Sequence, residues 1–320
     1  MARQHPLTER LRRPNMSASS LRTWLIAVGV PVLAVGIHRC RVLARRSELS
    51  WRPPRPLTMT RPLAARASGK GTPIVLLHGL GASGAYWGSS FDELAVGHRL
   101  VVPDLLGFGS SPRPVTGYGP EEHVSAVASC LDAAGVHLPA VVVAHSAGGI
   151  IALRLAALHP ERVRAVIVLG PPLYRDAEHA RLHIRDMGLT ARLFASNGSL
   201  SALACRWSCN HRTLAAMVAE LTRPDLPSVI ARDGVQHTWA SYSETLRTVV
   251  LDSGNAAHLA EVRVPVHLVA GISDRVCDHT HLRSLAQANP NVHYLAWRGG
   301  HHLPLTDPLR VLDLILATAN

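Results

Sequence analysis

Short apolar runs alternate along this chain with longer amphipathic stretches. The runs fall at 74–78, 99–103, 140–145, 163–169, 264–270 and 292–297, and each is rich in Val, Ile or Leu. Short, largely apolar runs of this length predict strands covered on both faces, as in a parallel sheet. Helical patterns lie between them, near 120–135, 149–159, 279–288 and 307–318. The alternation predicts an α/β fold: a doubly wound, mostly parallel sheet. One interval breaks the rhythm. Residues 172–262 hold no clear buried strand but show helical periodicity over His179–Met187, Ala202–Cys209, Thr213–Leu221 and Ser243–Leu251.

The joins between strands and helices carry the candidate chemistry. The run Pro139–Val143 leads into Ala144-His145-Ser146-Ala147-Gly148-Gly149, and a helical pattern starts at Ile150. A serine on a tight strand-to-helix turn, with small residues two before and two after, matches a nucleophile elbow. Ala144 stands where that pattern usually has glycine. A second strand, Pro73–Leu77, runs into His78-Gly79-Leu80-Gly81. A third ends before Asp274, in Val269-Ala270-Gly271-Ile272-Ser273-Asp274, and a fourth before the pair His301-His302.

The chain order is therefore Ser, Asp, His. With these segments, and with Val102-Pro103-Asp104-Leu105-Leu106-Gly107-Phe108-Gly109-Ser110-Ser111, which is similar to a family D-x-x-G-x-G-x-S loop, the chain resembles the α/β-hydrolase family. The relatives in view are small serine esterases, lipase-like enzymes and cofactor-free haloperoxidases. The resemblance covers residues 63–320. It implies the α/β-hydrolase fold, with its core in 63–171 and 263–320 and a helical lid in 172–262. Phe194, Trp207, Met217, Trp239 and Tyr242 are candidate pocket residues in that lid, or parts of the lid's own core.

Ser146 is the candidate nucleophile, Asp274 the acid and His301 the base. His302 is a rival base. His301 is preferred because it follows Gly300 and precedes Pro308 by seven residues, as in the family. Asp278, four residues after Asp274, is the rival acid. The backbone N–H groups of Leu80 and Ala147 would form the oxyanion hole. Asp104 reads as a brace for its own glycine-rich turn, and His78 and His145 as supporting groups. The chemistry requires neither cofactor nor metal. The implied reaction is hydrolysis of a carboxylic ester or similar acyl substrate, with a small or medium hydrophobic acyl group. Acyl transfer, perhydrolysis and a non-catalytic ligand-binding role are the alternatives. Amide, thioester and carbon–carbon bonds would use the same parts. Serine at the elbow, rather than aspartate, argues against epoxide hydrolase and haloalkane dehalogenase activity.

Charge changes the picture at one end only. The formal net charge is +11, yet residues 1–70 hold 14 basic and 2 acidic residues and the remainder is nearly neutral. A folded domain without a basic patch argues against a nucleic-acid partner. The head, 1–48, contains 15 uncharged residues, Thr23–Ile37, between arginines at 10, 12, 13 and 22 and at 39, 41, 45 and 46. The run is shorter than the ~17–25 residues of a membrane span. No small-residue cleavage site follows it. An uncleaved membrane anchor, a packed N-terminal helix and a targeting segment all stay open, and initiation at Met16 would shorten the head. The expectation is membrane association through 23–37 with the rest cytoplasmic. Residues 49–62 carry four prolines and predict an extended linker. The five cysteines are scattered and form no disulfide framework. Cys205-x-x-x-Cys209-x-His211 lacks a second ligand pair and reads as helix packing. Gly79-x-Gly81-x-x-Gly84 matches a dinucleotide-binding pattern, but the Ser–Asp–His set explains that loop better.

Overall fold

The computed structural model describes residues 51–185, 198–223, 225–252 and 255–320. The head at 1–48, with its apolar segment, and Phe194 lie outside them. Seven strands form one sheet: β1 (Ala65–Ser68), β2 (Pro73–Leu77), β3 (Arg99–Pro103), β4 (Ala140–His145), β5 (Val163–Leu169), β6 (Val266–Gly271) and β7 (Val292–Trp297). Their order is β1-β3-β2-β4-β5-β6-β7, with β1 antiparallel to β3 and every other pairing parallel.

All the apolar runs became strands. β2 and β4 are buried at every residue because helices cover both faces. β7 is different: it is an edge strand, and His293 and Ala296 are exposed. The strand absent from the sequence reading is β1. Its four residues, Ala-Arg-Ala-Ser, hold a buried arginine and no large apolar group. Arg66 is tolerated because its guanidinium donates to the Gly84 carbonyl (2.9 Å) and pairs with Asp92 (3.3 Å). Burial lowers the Arg66 pKa, an effect that Asp92 and Asp104 oppose.

The helices are α1 (Pro120–Ala133), α2 (Ala147–Leu158), α3 (Ala177–Arg185), α4 (Ser199–Asn210), α5 (Arg212–Thr222), α6 (Ser228–Asp233), α7 (Trp239–Thr245), α8 (Asn255–Glu261), α9 (His279–Ala288), α10 (Leu303–Thr306) and α11 (Pro308–Ala319). Two 3-10 segments, Gly84–Trp87 and Ser89–Val96, precede β3. The described part of 172–262 holds helices and no strand, from α3 to α8. The helix expected over 243–251 is α7 followed by a π-helical turn, Leu246–Val250, and α7 starts earlier. The cause is a capping box: Thr238 accepts from the Ser241 amide, and the Ser241 hydroxyl accepts from the Thr238 amide.

Residues 51–57 form neither helix nor strand, and they lie against the domain. The Trp51 indole donates to the Ala85 carbonyl (3.2 Å), and the Arg55 amide donates to Asp92 (2.6 Å).

Candidate active site

β4 ends at His145 and α2 starts at Ala147, so Ser146 alone makes the turn. Its backbone sits at φ 51°, ψ −124°, and it is the one non-glycine residue with positive φ among the described residues. Such strain costs on the order of 1–3 kcal/mol and persists only where the surroundings enforce it. Here they do. The Ser146 amide donates to Leu169 at the end of β5 (2.9 Å), and its carbonyl accepts from Gly149 (2.8 Å). The small neighbours are obligatory: a Cβ on Gly148 would lie 2.4 Å from the His78 carbonyl oxygen, and one on Gly149 would lie 2.1 Å from Val168 Cγ1. Ala144, in contrast, is fully buried within β4 between Leu77 and Val168, so a methyl group fits there.

Asp274 and His301 meet across adjacent strand ends. Asp274 lies three residues beyond β6, and His301 four beyond β7. The two loops are joined by Ser273, whose amide and hydroxyl both donate to the Gly299 carbonyl (3.0 and 2.7 Å). His301 Nδ1 lies 2.9 Å from Asp274 Oδ2. Burial alone would raise the Asp274 pKa. The His301 hydrogen bond and charge, with the Val276 amide and the Cys277 thiol, outweigh burial and hold it at about 2. The imidazole also lies over the chain after β5, where a Cβ on Gly170 would come within 2.9 Å of the ring. No hydrogen bond among the described residues joins the Ser146 hydroxyl to His301.

The rivals are occupied elsewhere. His302 faces Tyr86 Oη (3.3 Å), Arg223 (3.3 Å) and Asp225 (3.6 Å). Burial, then His301, His145 and Arg223, lower its pKa well below the usual histidine value. A ring held neutral in this way is a poor proton acceptor. Asp278 is the N-cap of α9, accepting from the amides of Thr280 and His281.

The glycine loop after β2 is set by His78. The Leu105 amide donates to Nε2 (2.8 Å), so Nδ1 carries the proton and donates to the Gly79 carbonyl (2.8 Å). Both bonds hold the loop beside the elbow, where a Cβ on Gly79 would be 3.1 Å from Ser146 Cβ. Leu80 follows directly. Ala147 opens α2, so its amide has no intrahelical acceptor. Asp104 does brace its surroundings. Its two carboxylate oxygens accept from Gly84 and Ser110 (2.7 Å each).

Apolar side chains surround Ala147: Tyr174, Ala180, Ile184, Leu246, Val250 and Leu251 form one cluster with it, and Leu80 and Tyr242 pack alongside. Tyr242 also approaches Gly81, and burial pushes its phenol up to about 12. Trp207 and Met217 do not join this cluster. They are 43% and 54% exposed because their helices turn them outward. Asp233, at the end of α6, accepts a hydrogen bond from the Ser83 hydroxyl, a contact with no signal in the linear pattern. The Cys205 thiol lies near His237 (3.8 Å), while His211 packs at a tilt against Trp207. Among the described residues, no group of three or more His, Cys, Asp or Glu side chains is arranged to hold a metal ion. Among the same residues, no helix is long and apolar enough to cross a membrane.

The model of the alpha/beta hydrolase fold family matches residues 72–308. The chain belongs to that family. A 2-hydroxymuconate semialdehyde hydrolase of Pseudomonas sp. (strain CF600) is 41% identical over 107 residues, which is 32% of this chain and 38% of that protein. The uncharacterized protein Rv2715 of Mycobacterium tuberculosis (strain ATCC 25618 / H37Rv) is 27% identical over 265 residues, covering 79% of this chain and 76% of that one. Among solved structures, the esterase RhEst1 from Rhodococcus sp. ECU1013 superposes with a TM-score of 0.60 at 21% identity, covering 80% of this chain and 93% of its own. The proteins it resembles thus include an esterase and a 2-hydroxymuconate semialdehyde hydrolase, the latter matched over little more than a third of its length.

Proposed function

We propose that this α/β hydrolase is a serine hydrolase that cleaves a carboxylic ester or similar acyl substrate through an acyl-enzyme. The observation that carries the reading is the 2.9 Å Asp274–His301 hydrogen bond beside a serine held at positive φ. In this reading His301 Nε2 takes the Ser146 proton as Oγ attacks the acyl carbon. Asp274 keeps Nδ1 protonated and stabilises the imidazolium. The amides of Leu80 and Ala147 receive the oxyanion, and His301 returns the proton to the leaving group. Water, activated by the same histidine, then releases the acid and frees the serine. The apolar cluster around Ala147 supports a hydrophobic acyl group.

The 41% identity over 107 residues favours one second reading, hydrolysis of a substrate like 2-hydroxymuconate semialdehyde. Acyl transfer and perhydrolysis differ only in what replaces water, so a competing alcohol or peroxide in the assay separates them.

The test is labelling with a fluorophosphonate probe. Wild type labels and Ser146→Ala does not, which licenses a panel of esters, the semialdehyde, and thioesters. Absence of labelling in folded wild-type protein overturns the reading in favour of a ligand-binding role, in which Ser146→Ala leaves binding unchanged.

A further inference from the structure

The Asp274 side chain is 0% exposed, so every partner that stabilises its charge must come from the protein. A carboxylate offers about four acceptor positions. Oδ1 accepts from the Val276 amide (2.8 Å), and Oδ2 from His301 Nδ1 (2.9 Å). Oδ2 has a second neighbour: Cys277 Sγ lies 3.2 Å away. The thiol is also 3.5 Å from the Pro171 carbonyl oxygen, but it carries one proton, and the nearer, charged oxygen takes it. Burial, then the Asp274 charge, pushes the Cys277 pKa well up, so the thiol stays protonated and able to donate.

Cys277 suits two demands at once. It packs in one apolar core with Leu268, Ala270 and Leu282. A thiol is small and apolar enough for such a place, and it still brings a weak donor. The path of the loop does not depend on it. The Tyr174 hydroxyl donates to the Val276 carbonyl (2.9 Å), His183 Nε2 donates to the Arg275 carbonyl (2.7 Å), and Asp278 caps α9. The backbone is thus fastened on both sides of Cys277 by bonds that its side chain does not make. What the thiol adds is a donor on the carboxylate itself. The Val276 amide fixes one oxygen only, and a donor on the other stops the carboxylate from turning about its Cβ–Cγ bond.

We propose that Cys277 is a positioning residue, whose thiol holds the Asp274 carboxylate with Oδ2 turned to His301 and shares that oxygen with the imidazole. The inference rests on the assignment of Asp274 and His301 to the reaction of Ser146. Sharing Oδ2 draws electron density from the bond to Nδ1, so the Asp274–His301 hydrogen bond is weaker than an unshared one would be.

Two variants separate the donor from the packing. Cys277→Val removes the donor and keeps an apolar side chain of similar size, while Cys277→Ser keeps a donor. Hydrolysis of p-nitrophenyl butyrate is one readout. The other is the His301 Nδ1 proton resonance, assigned by its absence in His301→Ala. Cys277→Val should lower kcat about threefold with KM unchanged. Its Nδ1 proton should move downfield, because the imidazole gains sole use of Oδ2. Cys277→Ser should recover most of both. Cys130→Val, at a buried thiol on α1, should change neither. Wild-type kcat and resonance in Cys277→Val overturn the proposal. An equal loss in Cys277→Ser does so too, since Cys277 would then act by packing alone. If Cys277→Val unfolds, Cys277→Ala, smaller than the native side chain, takes its place. Failure of the wild type to turn over any ester overturns the serine-hydrolase reading, and the resonance then decides by itself whether the thiol engages Asp274.

Discussion

The imidazole of His145 reaches the main chain of His301, its Nε2 lying 3.0 Å from the carbonyl oxygen. A carbonyl only accepts, so Nε2 carries the proton and Nδ1 is bare. Nδ1 is buried and has no hydrogen-bond partner among the described residues. Burial, then the neighbouring His301, lower the His145 pKa to about 3, which keeps the ring neutral. The ring stacks on Tyr86, with centroids 4.5 Å apart. The residue before Ser146 therefore holds the loop that carries His301.

His145→Phe preserves a ring for Tyr86 but removes the donor. One hydrogen bond of this kind contributes about 1–1.5 kcal/mol, so kcat on an ester should fall roughly tenfold. KM should change little and the pH profile should broaden as His301 loses its fixed position. Steady-state kinetics across pH check this, and an unchanged kcat would reduce His145 to a packing residue.

The two adjacent histidines should separate cleanly. His301→Ala should lower kcat/KM by about 10³-fold or more, and His302→Ala by less than about tenfold. Asp274→Asn should act like His301→Ala. Its stability effect has a defined sign. The folded-state pKa lies below the ordinary value, so its contribution is present above about pH 4 and is lost as pH falls towards 2. Acid titration of wild type and Asp274→Asn measures it.

Gly148→Ala tests the geometry of the elbow. A methyl group there meets the His78 carbonyl oxygen at 2.4 Å, and backbone cannot step aside as a side chain can. The substitution should destabilise by about 1–3 kcal/mol and push the His78–Leu80 loop away from Ser146. Fluorophosphonate labelling should slow further than the loss of folded protein explains.

Asp233 predicts a second pH dependence of opposite sign. Burial raises its pKa to about 6, against the Ser83 hydrogen bond, and Asp104 adds to the rise. A carboxyl with a raised folded-state pKa favours folding when protonated. The penalty therefore builds from about pH 4 to about pH 6 and is constant above. Asp233→Asn keeps an oxygen for Ser83 without the charge. It should stabilise by about 2 kcal/mol at pH 8 and by little at pH 4, read from thermal melts at the two pH values.

Much of this molecule was legible in one dimension, and the reason differs by feature. Strands β2 to β6 were readable because a parallel strand under helices on both faces is largely apolar. The elbow was readable because Gly148 and Gly149 answer to backbone and to Val168 at contact distance, so their identity is forced locally. β1 was not readable, since Arg66 is acceptable in a buried strand only once Gly84 and Asp92, distant in sequence, stand beside it. Nor could the pattern say which way α4 and α5 turn. Trp207 and Met217 have the spacing of core residues, and only packing directs them outward. The chain order of Ser146, Asp274 and His301 was in the sequence. Which histidine meets the aspartate was decided in three dimensions, where the β6 and β7 loops lock together at Ser273 and Gly299 and aim His301 at Asp274 while Tyr86, Arg223 and Asp225 occupy His302.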